Sequence, residues 1–448
     1  MAGALAAFPY RRKVIRFSPP QTLAFSFVIF IGIGTILLKL PIATTKPISW
    51  LDALFTATSA MTVTGLVVVD TGTAFTVFGQ VVLMCLIQLG GLGLMTFAIL
   101  IVMMLGKKIG LQQRILIQEA MNQTSLGGLI RLVKILFLFS IVLELAGVIL
   151  LAIRWVPEFG WGTGLYQSVF HTISAFNNAG FSLWSDSLSA YVGDPLVNSV
   201  ITGLFITGGI GFTVLADIWY KRSFKRLSLH SKLMLVGTLL LNVIAFFVIF
   251  LLEYGNPATL GGLPLSEKIW GAYFQAVAPR TAGFNSLAIG EMNQASLFFT
   301  IVLMFIGGGS ASTASGIKVT TFLVMLLATA SFLKGQAETV VFERTIPAHT
   351  ILRALAIIVI SLLFIFLTLF ILTVTEQAPF LTILFEVMSA FGTVGLSIGL
   401  TENLSAVGKE VMIVLMFIGR IGPLTLAFTL AKPKSSTIRY PGDEVMTG

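Results

Sequence analysis

Four short segments carry the residue types best suited to chemistry in this chain. They read Thr62-Val63-Thr64-Gly65, Asn177-Asn178-Ala179-Gly180, Arg280-Thr281-Ala282-Gly283 and Gly392-Thr393-Val394-Gly395. No nucleophile stands beside a base, and His171, His230, His349 and the single Cys85 lie too far apart in sequence to suggest a metal set. What the four segments offer is backbone. Glycine reaches φ > 0 and brings no side chain into a lumen. Four such loops on one axis would present rings of carbonyl oxygens that replace a cation's hydration shell.

The four segments are copies of one unit. Five positions before each final glycine stands an alanine (Ala60, Ala175, Ala278, Ala390), and ten positions before it an aromatic (Phe55, Phe170, Tyr273, Phe385). Leucine or phenylalanine follows each glycine: Leu66, Phe181, Phe284 and Leu396. Downstream, small residues recur at Gly90-Gly91, Gly208-Gly209 and Gly307-Gly308-Gly309, with Gly419-Arg420 at the matching place in the fourth copy. A single glycine pair would be read as close helix packing in a membrane. Four pairs, each behind a loop of the same kind, point to a pore with pseudo-fourfold symmetry.

The elements that must hold these loops lie in a membrane. Of the 448 residues, 56% are hydrophobic and 10% charged, and the mean hydropathy is +0.96, which excludes an ordinary soluble domain. Eight stretches are apolar enough to span: 20–40, 74–105, 126–153, 195–220, 228–254, 295–333, 346–375 and 406–431. Segments 50–61, 165–176, 269–278 and 380–391 are too short to cross and fit re-entrant helices, one before each loop. The expected fold is therefore all-α and integral to the membrane. Eight transmembrane helices form four parallel helix–pore-loop–helix repeats around a pseudo-fourfold central pore. The chain divides into an N-terminus (1–19), repeat 1 (20–105), a connection (106–125), repeat 2 (126–220), repeat 3 with a broken second helix (228–333), repeat 4 (346–431) and a tail (432–448).

Lys and Arg cluster at one end of the spans, at 11–16, 107–114, 131–134, 221–232, 334–353 and 432–439. By the positive-inside rule, both termini and the connections between repeats are expected in the cytoplasm, and the short segments enter from outside. The N-terminus reads as a retained first helix, since no small-residue cleavage site follows its basic start. The outer loops are acid-rich, with Asp52, Asp70, Glu158, Asp186, Glu267 and Glu402 among them. Such a vestibule would concentrate cations.

The sixth span contains Gly307, Gly308, Gly309, Ser310, Ala311, Ser312, Thr313, Ala314, Ser315 and Gly316. These are poor residues for a helix interior, so a break in mid-span is expected. The run resembles no phosphate loop, because no Gly-Lys-Ser/Thr follows. It reads as a flexible loop below the carbonyl rings, able to obstruct a path, or more simply as a kink at a helix contact. Arg420 stands where the other copies have glycine, and a charge there costs roughly 2.5–3.5 kcal/mol on insertion scales. It needs a partner or a wet cavity; facing the path, it would repel cations and could bond carbonyls of the broken span. Lys318 either contributes to gating or snorkels toward the cytoplasm. Arg280 is expected to point away from the axis, with Glu386 as a partner. Glu144, in the third span, is either protonated or paired across helices.

With these motifs in place, the chain is identified as a member of the Trk/Ktr/HKT superfamily of potassium transporters, most similar to the bacterial KtrB/KtrD-type membrane subunit. Thr62–Leu66, Asn177–Phe181, Pro279–Asn285, Phe391–Leu396, Gly307–Lys318 and Phe417–Pro423 carry the resemblance, which covers essentially the whole chain. It implies potassium uptake across the plasma membrane through a selectivity filter made of the four loops. Glycine at position 65 is what the potassium-selective branch has, where sodium-selective plant relatives carry serine. The resemblance further implies a gate at 307–316 and a barrier role for Arg420. It also implies a homodimer with one pore per protomer and a separate cytoplasmic ring of KtrA/KtrC-like subunits that bind the regulatory nucleotide. No cofactor is expected on this chain, only potassium as substrate, and sodium promotes uptake in some related systems. The alternative is a cation-coupled secondary transporter working by alternating access, since broken helices and repeats mark that class too. An enzyme or a nucleic-acid binder is not expected.

Overall fold

The computed structural model describes residues 19–93, 129–423, 425 and 446. The expected N-terminus 1–19, the connection 106–125, the tail 432–448 and the basic residues within them lie almost wholly outside that set, as do the ends of the second and eighth expected spans.

Four long apolar helices dominate: α1 (Pro19–Lys39), α4 (Leu129–Phe159), α8 (Leu229–Glu253) and α12 (Ala348–Thr375). Each contains a stretch long and apolar enough to cross a membrane. Each is followed by a short helix: α2 (Trp50–Thr62), α5 (Trp161–Phe176), α9 (Leu265–Val277) and α13 (Phe380–Gly392). At 13 to 16 residues these are too short to cross. Phe55, Phe170 and Phe385 are buried in them, as are the repeat alanines Ala60, Ala175 and Ala390, with Ala278 buried just past the end of α9.

After each short helix comes an irregular segment, then a further helix: α3 (Val77–Leu92), α6 (Pro195–Ile210), α10 (Gln294–Phe305) and α14 (Ala406–Ile421). Three of these begin on strong caps. Thr76 Oγ1 accepts from Gly79 N, Asp194 Oδ1 from Leu196 N and Val197 N, and Ser405 Oγ from Gly408 N.

The way these last helices end differs from expectation. The sequence suggested a break in the sixth span alone; the structure ends the helix within the expected span in all four. α3, α6 and α14 stop at Gly93 (φ 83, ψ 128), Gly211 (φ 109, ψ 132) and Gly422 (φ 94, ψ 133). That backbone conformation belongs essentially to glycine. Beyond Gly211 the chain turns through 92° into α7 (Phe212–Lys221). In the third unit the interruption is longer, running from Ile306 to Lys318, before α11 (Val319–Leu333).

The all-α expectation also needs one correction. The connection after α11 holds a small antiparallel hairpin, β1 (Thr339–Val341) with β2 (Arg344–Ile346), in register Thr339↔Ile346. Its turn residues Phe342 (φ 49) and Glu343 (φ 60) are both left-handed, the geometry that suits a two-residue hairpin turn. Ile346 anchors it by packing with Val324 and Ala354.

The packing closes on itself. Within each unit the long helix lies on its short one. Between units, α3 meets α5, α6 meets α9, α10 meets α13, and α14 returns to α2. Lys409 Nζ, at the start of α14, completes that return with a 2.7 Å ion pair to Asp52 in α2. The four irregular segments between short helix and following helix are thus brought to the middle of the molecule.

Candidate functional site: four glycine loops and the segment beneath them

The loops share one local geometry, set by how the short helices end. In α2, α5 and α13 the residue two before the glycine turns left-handed: Val63 (φ 57), Asn178 (φ 59) and Thr393 (φ 48). The next N–H then reaches back five residues, Thr64 N to Ser59 O, Ala179 N to Ser174 O and Val394 N to Ser389 O, each at 2.8 Å. This is the Schellman ending, normally made with glycine at the left-handed position. The third loop also turns left-handed at Thr281 (φ 64), but Ala282 N bonds Ala278 O at 3.0 Å, a one-residue variation. A non-glycine held there costs roughly 1–3 kcal/mol, and persists only where the surroundings dictate it.

Two residues on, the chain turns left-handed again at Gly65 (φ 87), Gly180 (φ 69), Gly283 (φ 75) and Gly395 (φ 92). Each glycine lies against the carbonyl that precedes the glycine of the next loop. Gly65 faces Ala179 O, Gly180 faces Ala282 O, Gly283 faces Val394 O and Gly395 faces Thr64 O. The cycle of four closes. A Cβ on Gly180 would sit 2.5 Å from Gly283 Cα, and one on Gly283 would sit 2.7 Å from Val394 O. Glycine is therefore required at these positions by both φ and space.

Side chains brace the loops from behind. Thr62 and Thr64 share a hydroxyl contact at 2.8 Å, and Asn178 Nδ2 donates to Thr281 Oγ1 at 3.4 Å, joining the second and third loops. Gly392, the last residue of α13, packs against Met304 O. Arg280 keeps its backbone in the third loop while its guanidinium leaves it, Nη1 donating to Thr238 O of α8 at 3.2 Å. Its partner is not Glu386.

Glu386 instead accepts from Ser397 Oγ (2.6 Å), Ile398 N (3.0 Å) and Thr401 Oγ1 (2.5 Å), holding the chain just beyond the fourth loop. His171 occupies the same register in the second unit. Its Nε2 meets Ser182 Oγ at 3.1 Å and Leu183 N at 3.4 Å, two and three residues beyond Gly180, as Ser397 and Ile398 are beyond Gly395. Sequence reading missed this pair of straps. The available signal was a polar residue nine positions before Gly180 and Gly395, each with a serine two positions after. Glu144 likewise has a partner: Gln88 Nε2 donates to it at 2.9 Å, and Gln88 Oε1 accepts from Asn177 Nδ2 at 2.7 Å.

The interrupted segment 306–318 lies under the loops and is tied on two sides. On one side Gly309 N donates to Gly209 O (2.7 Å) and Thr313 N to Gly208 O (3.2 Å), the exposed carbonyl end of α6. Thr313 Oγ1 also donates to Asn178 Oδ1 at 2.6 Å. On the other side Arg420 Nη1 donates to Thr313 O and, at 2.9 Å, to Ser315 Oγ. Arg420 Nη2 donates to Gly90 O and, at 3.3 Å, to Gly91 O at the end of α3. A guanidinium at the negative end of a helix dipole is favourably placed. Ser312 Oγ bonds Gly309 O, and Lys318 Nζ bonds Ala314 O at 2.9 Å, so the segment is also braced internally. Gly307 and Gly308 form its start, Gly307 N donating to Ile317 O at 2.8 Å; Gly316 (φ 67) and Ala311 (φ 52) are its left-handed residues. Arg420, Lys318 and Ser312 line a cavity of about 120 Å³ beneath it.

No group of acidic, histidine or cysteine residues able to hold a metal ion occurs among the described residues. What the arrangement can do is present main-chain oxygens to a cation. A family model described as a cation transport protein, TrkH, matches residues 17–440. The chain belongs to the TrkH family of cation transport proteins. Within that family it is 64% identical over 436 residues to the Ktr system potassium uptake protein B of Bacillus subtilis (strain 168), spanning 97% of this chain and 98% of that one. A protein of the same description from Vibrio alginolyticus is 47% identical over 440 residues, 98% of this chain and 97% of that one. The crystal structure of the potassium transporter TrkH from Vibrio parahaemolyticus shares the fold. Its TM-score is 0.73 at 20% identity, covering 94% of this chain and 86% of that one. Membership of this family, with the four apolar helices, makes the chain a membrane-embedded transporter rather than an enzyme.

Proposed function

We propose that this chain carries potassium into the cell across the plasma membrane, through a central pathway whose selectivity filter is the four glycine loops. The observation that supports this most is the closed cycle in which Gly65, Gly180, Gly283 and Gly395 each lie against the next loop's carbonyl. Backbone oxygens so crowded can substitute for water around a monovalent ion. The relatives named for potassium uptake give the ion. Non-helical backbone at membrane depth fits such a path, because it is tolerated only in protein or against water.

The segment Gly307–Gly316, with Lys318 and Arg420, is the gate in this account. Arg420 puts a positive charge on the path and ties Thr313 to α3. The eight-span topology, with both termini cytoplasmic, follows from the bias of Lys and Arg. The protein works as a homodimer, each protomer with its own pore. A cytoplasmic ring of nucleotide-binding subunits docks on the basic loops and opens the gate, and sodium promotes uptake. That these relatives are named as parts of a Ktr system supports further components.

Alternating access is the rival. It would require the repeats to rock against one another, whereas the bias of Lys and Arg reads all four as running in the same sense. The test is rubidium and sodium flux into proteoliposomes, with and without Gly307–Gly316 shortened. The account expects rapid rubidium flux, sodium excluded, and an increase on shortening. Slow flux strictly coupled to a second ion, and abolished by shortening, would favour alternating access.

A further inference from the structure

A second cavity, of about 300 Å³, lies between the starts of α8, α11 and α12 and shares Lys318 and nothing else with the Arg420 cavity. Its basic wall is His230, Lys318 and Arg353, and no aspartate or glutamate lines it. Thr320, Thr321 and Thr350 add hydroxyls from the first turns of α11 and α12. Those two helices begin on Lys318 and Pro347 with no side-chain cap. The positive ends of their dipoles therefore add to the three basic side chains. The rest of the wall is apolar: Leu233, Val324, Ala354 and Ile357. Exposed basic residues Arg222, Lys225, Arg226 and Arg344 crowd the same connections.

We propose that this cleft binds the phosphate group of an anionic phospholipid of the cytoplasmic leaflet, its acyl chains lying along Leu233, Val324 and Ile357. The choice of leaflet rests on the orientation proposed above. A polar, cationic head beside an apolar wall matches an amphiphile rather than a free anion, and the inner leaflet is where anionic lipid meets basic segments. The site touches the gate directly. Lys318 Nζ now donates to Ala314 O at 2.9 Å, and Ser310 lines the cleft. A phosphate competing for that ammonium would loosen one brace of the segment, so occupancy favours opening.

The test uses the full chain in vesicles of phosphatidylcholine, alone or with phosphatidylglycerol. Native mass spectrometry counts retained phosphatidylglycerol, and rubidium flux is read in parallel. Wild-type protein is expected to retain one more phosphatidylglycerol per protomer than the His230→Gln/Arg353→Gln double variant. Phosphatidylglycerol should raise its flux several-fold, while both proteins conduct equally in phosphatidylcholine alone. Equal retention and equal stimulation in the two proteins would overturn the site. Inorganic phosphate giving the same stimulation in phosphatidylcholine would overturn the lipid as its occupant. Absence of flux in every lipid would count against the transport reading, and the retained-lipid count would still decide the site.

Discussion

Thr313 Oγ1 donates to Asn178 Oδ1 at 2.6 Å, which ties the interrupted segment of the third unit to the loop of the second. Asn178 in turn reaches Thr281 of the third loop. The proposed gate and filter are therefore not stacked independently. A movement of Thr313 must break a bond made by a residue that stands two positions from Gly180.

Thr313→Val should loosen this tie. It keeps the shape and removes one buried hydrogen bond, worth about 0.5–1.5 kcal/mol, while leaving Asn178 short of a partner. Basal rubidium flux into proteoliposomes should rise severalfold with the selectivity order kept. Unchanged flux would mean that Thr313 is a packing residue.

Arg420→Gln should have a larger effect, since it removes the charge together with the bonds to Thr313 O and Gly90 O. A barrier lowered by about 1.4 kcal/mol corresponds to tenfold in rate. Flux is expected to rise by that order, with Arg420→Lys close to wild type. Lower flux in Arg420→Gln would show that the arginine supports the pathway rather than obstructing it.

Gly65→Ser should weaken discrimination against sodium. The added Cβ meets Ala179 O, at a backbone φ of 87 that side chains rarely adopt, so one quarter of the ring must shift. Competition by sodium against rubidium uptake is the readout. Full discrimination in a folded variant would remove Gly65 from the filter.

Glu386→Gln tests the strap behind the fourth loop. Three donors converge on this carboxylate. Hydrogen bonds to a charged group contribute roughly 1.5–3 kcal/mol, so the thermal midpoint in detergent should fall by several degrees and selectivity should loosen. His171→Gln, in the same register of the second unit, should act in the same direction but less, since its contacts are with neutral groups.

The repeat was legible because it is written in backbone demands. Glycine at 65, 180, 283 and 395 answers to φ and to close approach, and neither has an easy substitute. The helix ends at Gly93, Gly211 and Gly422 were hidden, since a glycine inside an apolar span ordinarily signals helix packing. The hairpin at 339–346 was too short to show alternation, at three residues a strand. Arg280 could not be paired from sequence because its partner, Thr238 O, is main chain, and every residue carries one. Glu144 was obscure for another reason: its contact with Gln88 joins two units 56 positions apart.

In the proposed filter the ring of carbonyls from Thr64, Ala179, Ala282 and Val394 holds the transported ion. The most direct measurement is anomalous diffraction from crystals grown in rubidium or thallium in place of potassium. The account predicts a peak on the axis between the four loops, coordinated by those oxygens and absent from crystals grown in sodium. An axis free of density, with the heavy cation lodged between helices elsewhere, would contradict it.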